Sequence, residues 1–149
     1  MLLLLFKCGN ERYGIDVRQV IEVAPLVRFK KIPKTPEYIA CLFNYRGSVI
    51  PVVDLTALLT GTPSRQMRST RIILILYLDS KGAVRILGLV AEKVTDTVKY
   101  CESDFQSSGI TSEEGAYLDT VAVDRNEMIQ LVEPQKILPE SLQQLLFAE

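Results

Sequence analysis

A likeness between the two halves of this chain limits its fold more than any other property. Gly14-Ile15-Asp16-Val17-Arg18-Gln19-Val20-Ile21-Glu22 lies over Gly88–Asp96, with glycine on glycine, Val20 on Val94 and acid on acid. Further on, VIPVVDLTALL (Val49–Leu59) lies over MIQLVEPQKIL (Met128–Leu138). The second alignment is spaced slightly wider, which places an insertion most simply in the polar Ser103–Gly115 loop. Buried strands look alike often enough that coincidence stands as the alternative. Taken as a repeat, the pattern calls for two similar β modules stacked together, with a groove where they meet.

The local signals are those of an all-β barrel or sandwich: short apolar strands with turns at regular spacing. Strands are expected over Leu2–Cys8, Tyr13–Val17, Val17–Val27, Ser48–Leu55, Arg71–Asp79, Ala83–Val90, Glu92–Val98, Tyr117–Val123 and Glu127–Val132. Between the third and fourth, Thr35-Pro36-Glu37 reads as a helix start leading into a short helix near Pro36–Ala40, with a capping hydroxyl, proline at the first position and an acid in the first turn. Asn44-Tyr45-Arg46-Gly47 reads as a turn in which Gly47 is free to take a positive φ. Pro51 interrupts the ladder of the following strand, so an edge or a bulge is expected there. Thr56–Leu59 reads as one helical turn ended by Gly61, Thr60–Thr70 as a linker or mobile loop, and Pro139-Glu140-Ser141 as the opening of a final helix.

A chain of 149 residues can bury its own core, as one domain or two tightly joined halves. Its net charge of -1 argues against nucleic acid or an anionic membrane as the main partner, because both demand a basic footprint. The basic clusters Arg28/Lys30/Lys31/Lys34 and Arg65/Arg68/Arg71 read as solvated loop charge. MLLLLF lacks the basic flank and cleavage site of a leader and reads as a first strand. No stretch is long and uncharged enough to cross a bilayer. Cys8, Cys41 and Cys101 are scattered, which fits a reducing cytoplasm and no disulfide framework.

Catalytic chemistry finds no footing in these residues. Without histidine, the serine and cysteine triads and the commonest metal ligand are gone, and three isolated cysteines cannot build a tetrahedral site. Cys8 and Cys41 read as small buried hydrophobes. No phosphate-cradling glycine motif occurs, so no cofactor is expected. Asp16, Glu22, Asp54, Asp96 and Asp119 suit turn and strand-end roles. Two charges stand out: Glu22 in a valine-rich strand and Arg46 in the turn. Near a seam between modules they would form a bidentate ion pair fixing the turn against the strand, the alternative being two separately solvated side chains.

At N-Y-R-G-x-V-I-P-V-V-D-L the sequence resembles the CheW family of chemosensory adaptors. The upstream TPEYI, the YGIDVRQVIEV strand pair and the later LGLVAEKVTDTV and MIQLVEPQKIL segments follow in the family's order, so the resemblance spans residues 1–149 as one CheW-like domain. It implies two intertwined, five-stranded SH3-like β barrels and a non-catalytic role bridging the cytoplasmic tip of a methyl-accepting chemoreceptor to the regulatory domain of a CheA-type histidine kinase. It further implies a receptor-facing groove containing Val20, Glu22, Asn44, Tyr45, Arg46 and Gly47, with a salt bridge between Glu22 and Arg46. Cys41 stands where many members have glycine, and Tyr45 where many have leucine. The LFNYRG variant and the MLLLLF start look like adaptors of Wsp-type surface-sensing systems. A reading of another class is an SH3-like regulatory module holding a small ligand or another protein between its halves.

Overall fold

The computed structural model describes residues 1–26, 34, 36, 38–107, 120–124 and 127–136. Thr35, Glu37, Arg28, Lys30, Lys31, Asp119 and the expected helix from Pro139 lie outside them. Two sheets form the described structure. The first takes β1 (Leu2–Cys8), β2 (Glu11–Asp16), β8 (Thr97–Lys99), β9 (Phe105–Ser107), β10 (Thr120–Asp124) and β11 (Glu127–Leu131) in the order β8-β1-β2-β11-β10-β9. The second takes β3 (Val20–Pro25), β4 (Ile39–Tyr45), β5 (Ser48–Asp54), β6 (Arg71–Leu78) and β7 (Val84–Ala91) in the order β3-β6-β7-β5-β4.

Strand pairing carries the internal repeat. The alignment maps Gly14 onto Gly88 and Val52 onto Leu131, and the parallel pairs are Gly14 with Leu131 and Gly88 with Val52. Each half of the sequence therefore lends a strand to the sheet of the other, an arrangement that coincidental strand likeness would not produce. Both glycines sit where strands crowd. A Cβ on Gly88 would stand 3.0 Å from methyls of Ile72 and Val52, and one on Gly14 would stand 3.0 Å from Leu3 Cδ1. The first sheet has six strands where five were expected. The extra one is β9, a three-residue strand inside the segment read as an inserted polar loop.

Three clusters make the core. Leu3, Leu5, Ala122 and Ile129 fill the inside of the six-stranded sheet, and Ala24, Cys41, Ile50, Val52, Ile72, Leu74 and Val90 that of the five-stranded sheet. Between the sheets lie Leu4, Phe6, Ile15, Ile39, Val53, Ile73, Ile75, Tyr77, Leu87 and Leu89, so the boundary between the modules is packed. Successive residues of a strand face opposite ways. In β1 and the first half of β6 both faces are covered, which is why LLLLF and RIILI lack the polar alternation of a half-exposed strand; Leu76 and Leu78 at the end of β6 are exposed.

Several elements differ from expectation for local reasons. Val17–Gln19 is a 3-10 turn, because the Asp16 carboxylate accepts the Arg18 N–H at 3.0 Å and delays β3 to Val20. The helix expected near Pro36–Ala40 is a turn, with Ile39 N–H donating to Pro36 O at 2.9 Å, and Ile39 already opens β4. The strand expected over Glu92–Val98 shrinks to Thr97–Lys99, since Lys93 takes φ 45 and leaves the ladder. The turn at Thr56–Leu59 is α1 (Leu55–Thr60), capped by Asp54 and ended by Gly61 at φ 79. Pro51 lies on an interior strand. Its position faces Leu42 of β4, and the parallel pairing with β7 begins only at Val52.

Replacing Gly88 by alanine is expected to cost about 1–3 kcal/mol through overpacking against Ile72 and Val52. A urea midpoint equal to that of the parent protein would show that β5 and β7 do not approach as described.

Candidate functional site

Two bulges build the site. In β3 the register slips between Val20 and Glu22, so Val20 opposes Ile75 of the inter-sheet core while Glu22 opposes Leu74 of the in-sheet core. In β4 the slip falls between Ile39 and Cys41 and moves the strand from the same first core to the same second one. A bulge bends its strand and adds twist. With one in each edge strand, the five-stranded sheet curls until its two edges meet.

They meet at Glu22. The Tyr45 hydroxyl at the end of β4 donates to Glu22 Oε2 at 2.5 Å, and Arg46 Nη2 lies 3.7 Å from the same oxygen. The Arg46 guanidinium also sits over the Tyr45 ring, 5.2 Å from its centroid. Tyr45 stacks on Phe43 with ring centroids 6.4 Å apart, which holds the phenol from the core side. The hydrogen bond to Glu22 raises the Tyr45 pKa above its ordinary value, because losing the proton would set a phenolate against a carboxylate.

The turn that presents Arg46 is a tight hairpin. Arg46 takes φ 51 and Gly47 φ 86, the pair of positive values that a two-residue connection between twisted strands needs. Asn44 Oδ1 accepts the Gly47 N–H at 3.2 Å and braces it. Glycine takes such a conformation freely, whereas arginine is strained in it, so Arg46 holds its place at some conformational cost.

The expected ion pair thus forms, with one correction. It is a single 3.7 Å approach between side chains that are 77% and 43% exposed, not a bidentate clasp. Solvent screening leaves such a pair worth under about 1 kcal/mol. The shorter contact is the tyrosine hydroxyl on a carboxylate, a charge-assisted bond. Glu22, Asn44, Tyr45, Arg46 and Gly47 gather at this corner. Val20 does not: the bulge turns it to the other face, where it packs against the inter-sheet core.

A second set of polar residues escaped the sequence reading. The Thr60–Thr70 segment is strapped down by two acids. Asp54, besides capping α1, accepts from Ser64 N–H at 2.9 Å and Ser64 Oγ at 2.5 Å. Glu92, only 1% exposed, accepts from Arg65 N–H at 3.1 Å and from Arg65 Nε and Nη2 at 2.9 Å each. Buried Thr70 donates to Arg65 O at 2.5 Å. A buried carboxylate needs partners, and the signal available was an acid standing at the end of an apolar strand.

Burial pushes the Cys8 and Cys41 thiols each up to about 12, so neither supplies a thiolate at neutral pH. No cluster of three metal-ligating side chains occurs among the described residues. No described helix is long and apolar enough to cross a membrane.

An all-β pair of barrel-like sheets, interlocked by strand exchange and presenting a braced hairpin corner, is the framework of a protein-interaction module. The CheW-like domain family matches residues 2–142, and the chain belongs to that family. It is 24% identical over 144 residues to the chemotaxis protein CheW of Bacillus subtilis, covering 95% of this chain and 89% of that one. A 25% identity over 99 residues links it to the chemotaxis protein CheW of Helicobacter pylori, covering 66% of this chain and 57% of that one. The crystal structure of the scaffolding protein TtCheW from Thermoanaerobacter tengcongensis superposes with a TM-score of 0.81 at 27% identity, over 93% of this chain and 87% of that one.

Glu22→Gln removes the charge that holds up the Tyr45 phenol, so its ultraviolet pH titration should move down toward the ordinary tyrosine value; an unmoved curve would mean the two groups are not bonded in solution. Arg65→Met leaves Glu92 buried with the backbone N–H alone, and is expected to lower stability by about 2 kcal/mol. Thermolysin should then cut the 60–70 segment sooner than in the parent protein.

Proposed function

We propose that this chain is a non-catalytic chemosensory adaptor that couples the cytoplasmic tip of a methyl-accepting chemoreceptor to the regulatory domain of a CheA-type histidine kinase, residues 1–149 acting as one domain of two intertwined barrels in the cytoplasm. The observation that carries this reading is the braced corner, in which a family member sets an exposed arginine on a rigid hairpin and ties it through Glu22 to the opposite edge of the same sheet. Such a corner has the character of a docking point, because its charge is fixed in space before a partner arrives and little ordering entropy is lost on binding.

A receptor tip is a helical hairpin, and a helix docks by laying a face into a groove. In this proposal Glu22, Asn44, Tyr45, Arg46 and Gly47 form one wall of that contact. Val20, which sits past the bulge at the margin of the inter-sheet core, forms a second contact line. Contacts of this kind are individually modest and become firm when many are made together in an array.

Arg46→Asp puts a carboxylate beside Glu22 and reverses the docking charge. Val20→Asp places a charge at the second line. Each variant should fold, as judged by circular dichroism, and retain less than about a tenth of the receptor-dependent kinase activation. Full activation and receptor pull-down by both folded variants would refute the assignment.

A further inference from the structure

The two sheets end differently at corresponding places, and the difference builds a second site. Within the six-stranded sheet, Leu3 and Leu5 of β1 point into the core, and the next residue of that parity is Lys7. Its cross-strand partner on β2 is Arg12, and Arg12 is in turn partnered by Ile129 of β11, two residues from Glu127. The same layer in the five-stranded sheet is apolar. There Leu5 paired with Gly14 corresponds to Leu74 paired with Gly88, and the following pair is Leu76 with Ile86. The corresponding layer of the second sheet thus carries hydrocarbon, with Leu76 exposed and Ile86 half-buried, whereas in the first sheet it carries charge.

That charged layer lines a cleft of about 390 Å³, with Leu5 at its floor and Lys7, Arg12, Glu127, Lys93 and Thr95 around it. The size lies within the range of pockets that take small ligands, roughly 300–1,000 Å³. Two cations directly opposite on neighbouring strands repel each other. Glu127 answers one of them by an ion pair with the Arg12 guanidinium. Lys7 and Lys93 form no ion pair among the described residues. Lys93 reaches the rim from a left-handed backbone conformation, φ 45, that lysine seldom adopts. The cleft is thus left with an excess of positive charge in a protein whose net charge is -1.

We infer that this cleft binds a small organic dianion, a dicarboxylate or a phosphate monoester, through the ammonium groups of Lys7 and Lys93, with Arg12, whose charge Glu127 partly offsets, beside them as a third donor. The inference is independent of the adaptor role and of the Glu22–Arg46 corner, which belongs to the other sheet.

The test is calorimetric titration of the full chain with inorganic phosphate and with succinate, against sodium chloride of matched ionic strength. Saturable binding of either probe is expected, and which one saturates tells phosphate ester from dicarboxylate. Lys7→Gln and Lys93→Gln should each weaken it about tenfold, the loss of one charge-assisted contact. Glu127→Gln should tighten it severalfold by removing the competing carboxylate. The proposal is overturned if neither probe saturates beyond the chloride control. It is equally overturned if the folded lysine variants bind as the parent does, or if Glu127→Gln weakens binding as much as they do.

Discussion

Exchange of strands between the two halves is the constraint from which the rest of this structure follows. Because β11 lies parallel to β2 and β5 parallel to β7, neither half of the sequence can complete a sheet alone. The exchange needs close approach at its centre, and Gly14 and Gly88 supply it: each stands where any side chain would press on the neighbouring strand. Around that crossing β1, β6 and β7 are covered on both faces, one set of side chains filling its own sheet and the other filling the space between sheets. The space between the modules is consequently a core, and exposed polar clusters are displaced to margins and corners.

The Glu22 corner is a product of that displacement. A sheet with straight edge strands would leave β3 and β4 far apart, since three strands separate them. Bulges at corresponding places in both edges turn each strand from one core to the other and bring the two ends within hydrogen-bonding distance. The weakness of the Glu22–Arg46 pair is then no contradiction. Burial of Ala24, Cys41 and Leu74 curls the sheet; the polar contacts select which way Arg46 points. The Asp54 and Glu92 straps serve a different end, holding the Thr60–Thr70 crossover against the end of the barrel.

Much of this was legible beforehand. The apolar runs at Leu2–Cys8 and Arg71–Asp79 were read as strands, and the duplicated glycine-centred segment pointed to two like modules. The Asn44–Gly47 turn, the Asp54-capped helical turn and its Gly61 stop are determined within a few residues, by side-chain hydrogen bonds and by the freedom of glycine at positive φ. The pairing of Glu22 with Arg46 was one of two alternatives that the residues left open, and the resemblance to the CheW family implied it.

What remained for the folded chain to decide involved long-range contact. Lys93 leaves the ladder beside Glu92, whose backbone pairs with distant Lys7, a partner that no local window contains. Val20 and Glu22 sit two apart and should share a strand face, but a bulge separates them, and it arises from matching two cores at once. Thr60–Thr70 has the composition of a free loop and is bound because two carboxylates that need partners stand beside it in space. The chain alone therefore determined most of its strands, though not β4 or β9, and its turns and duplication, since these rest on side-chain periodicity and local hydrogen bonding. Only the tertiary structure decided which edges meet, which acids are paired and which end of which barrel carries charge, because each depends on residues brought together from distant parts of the sequence.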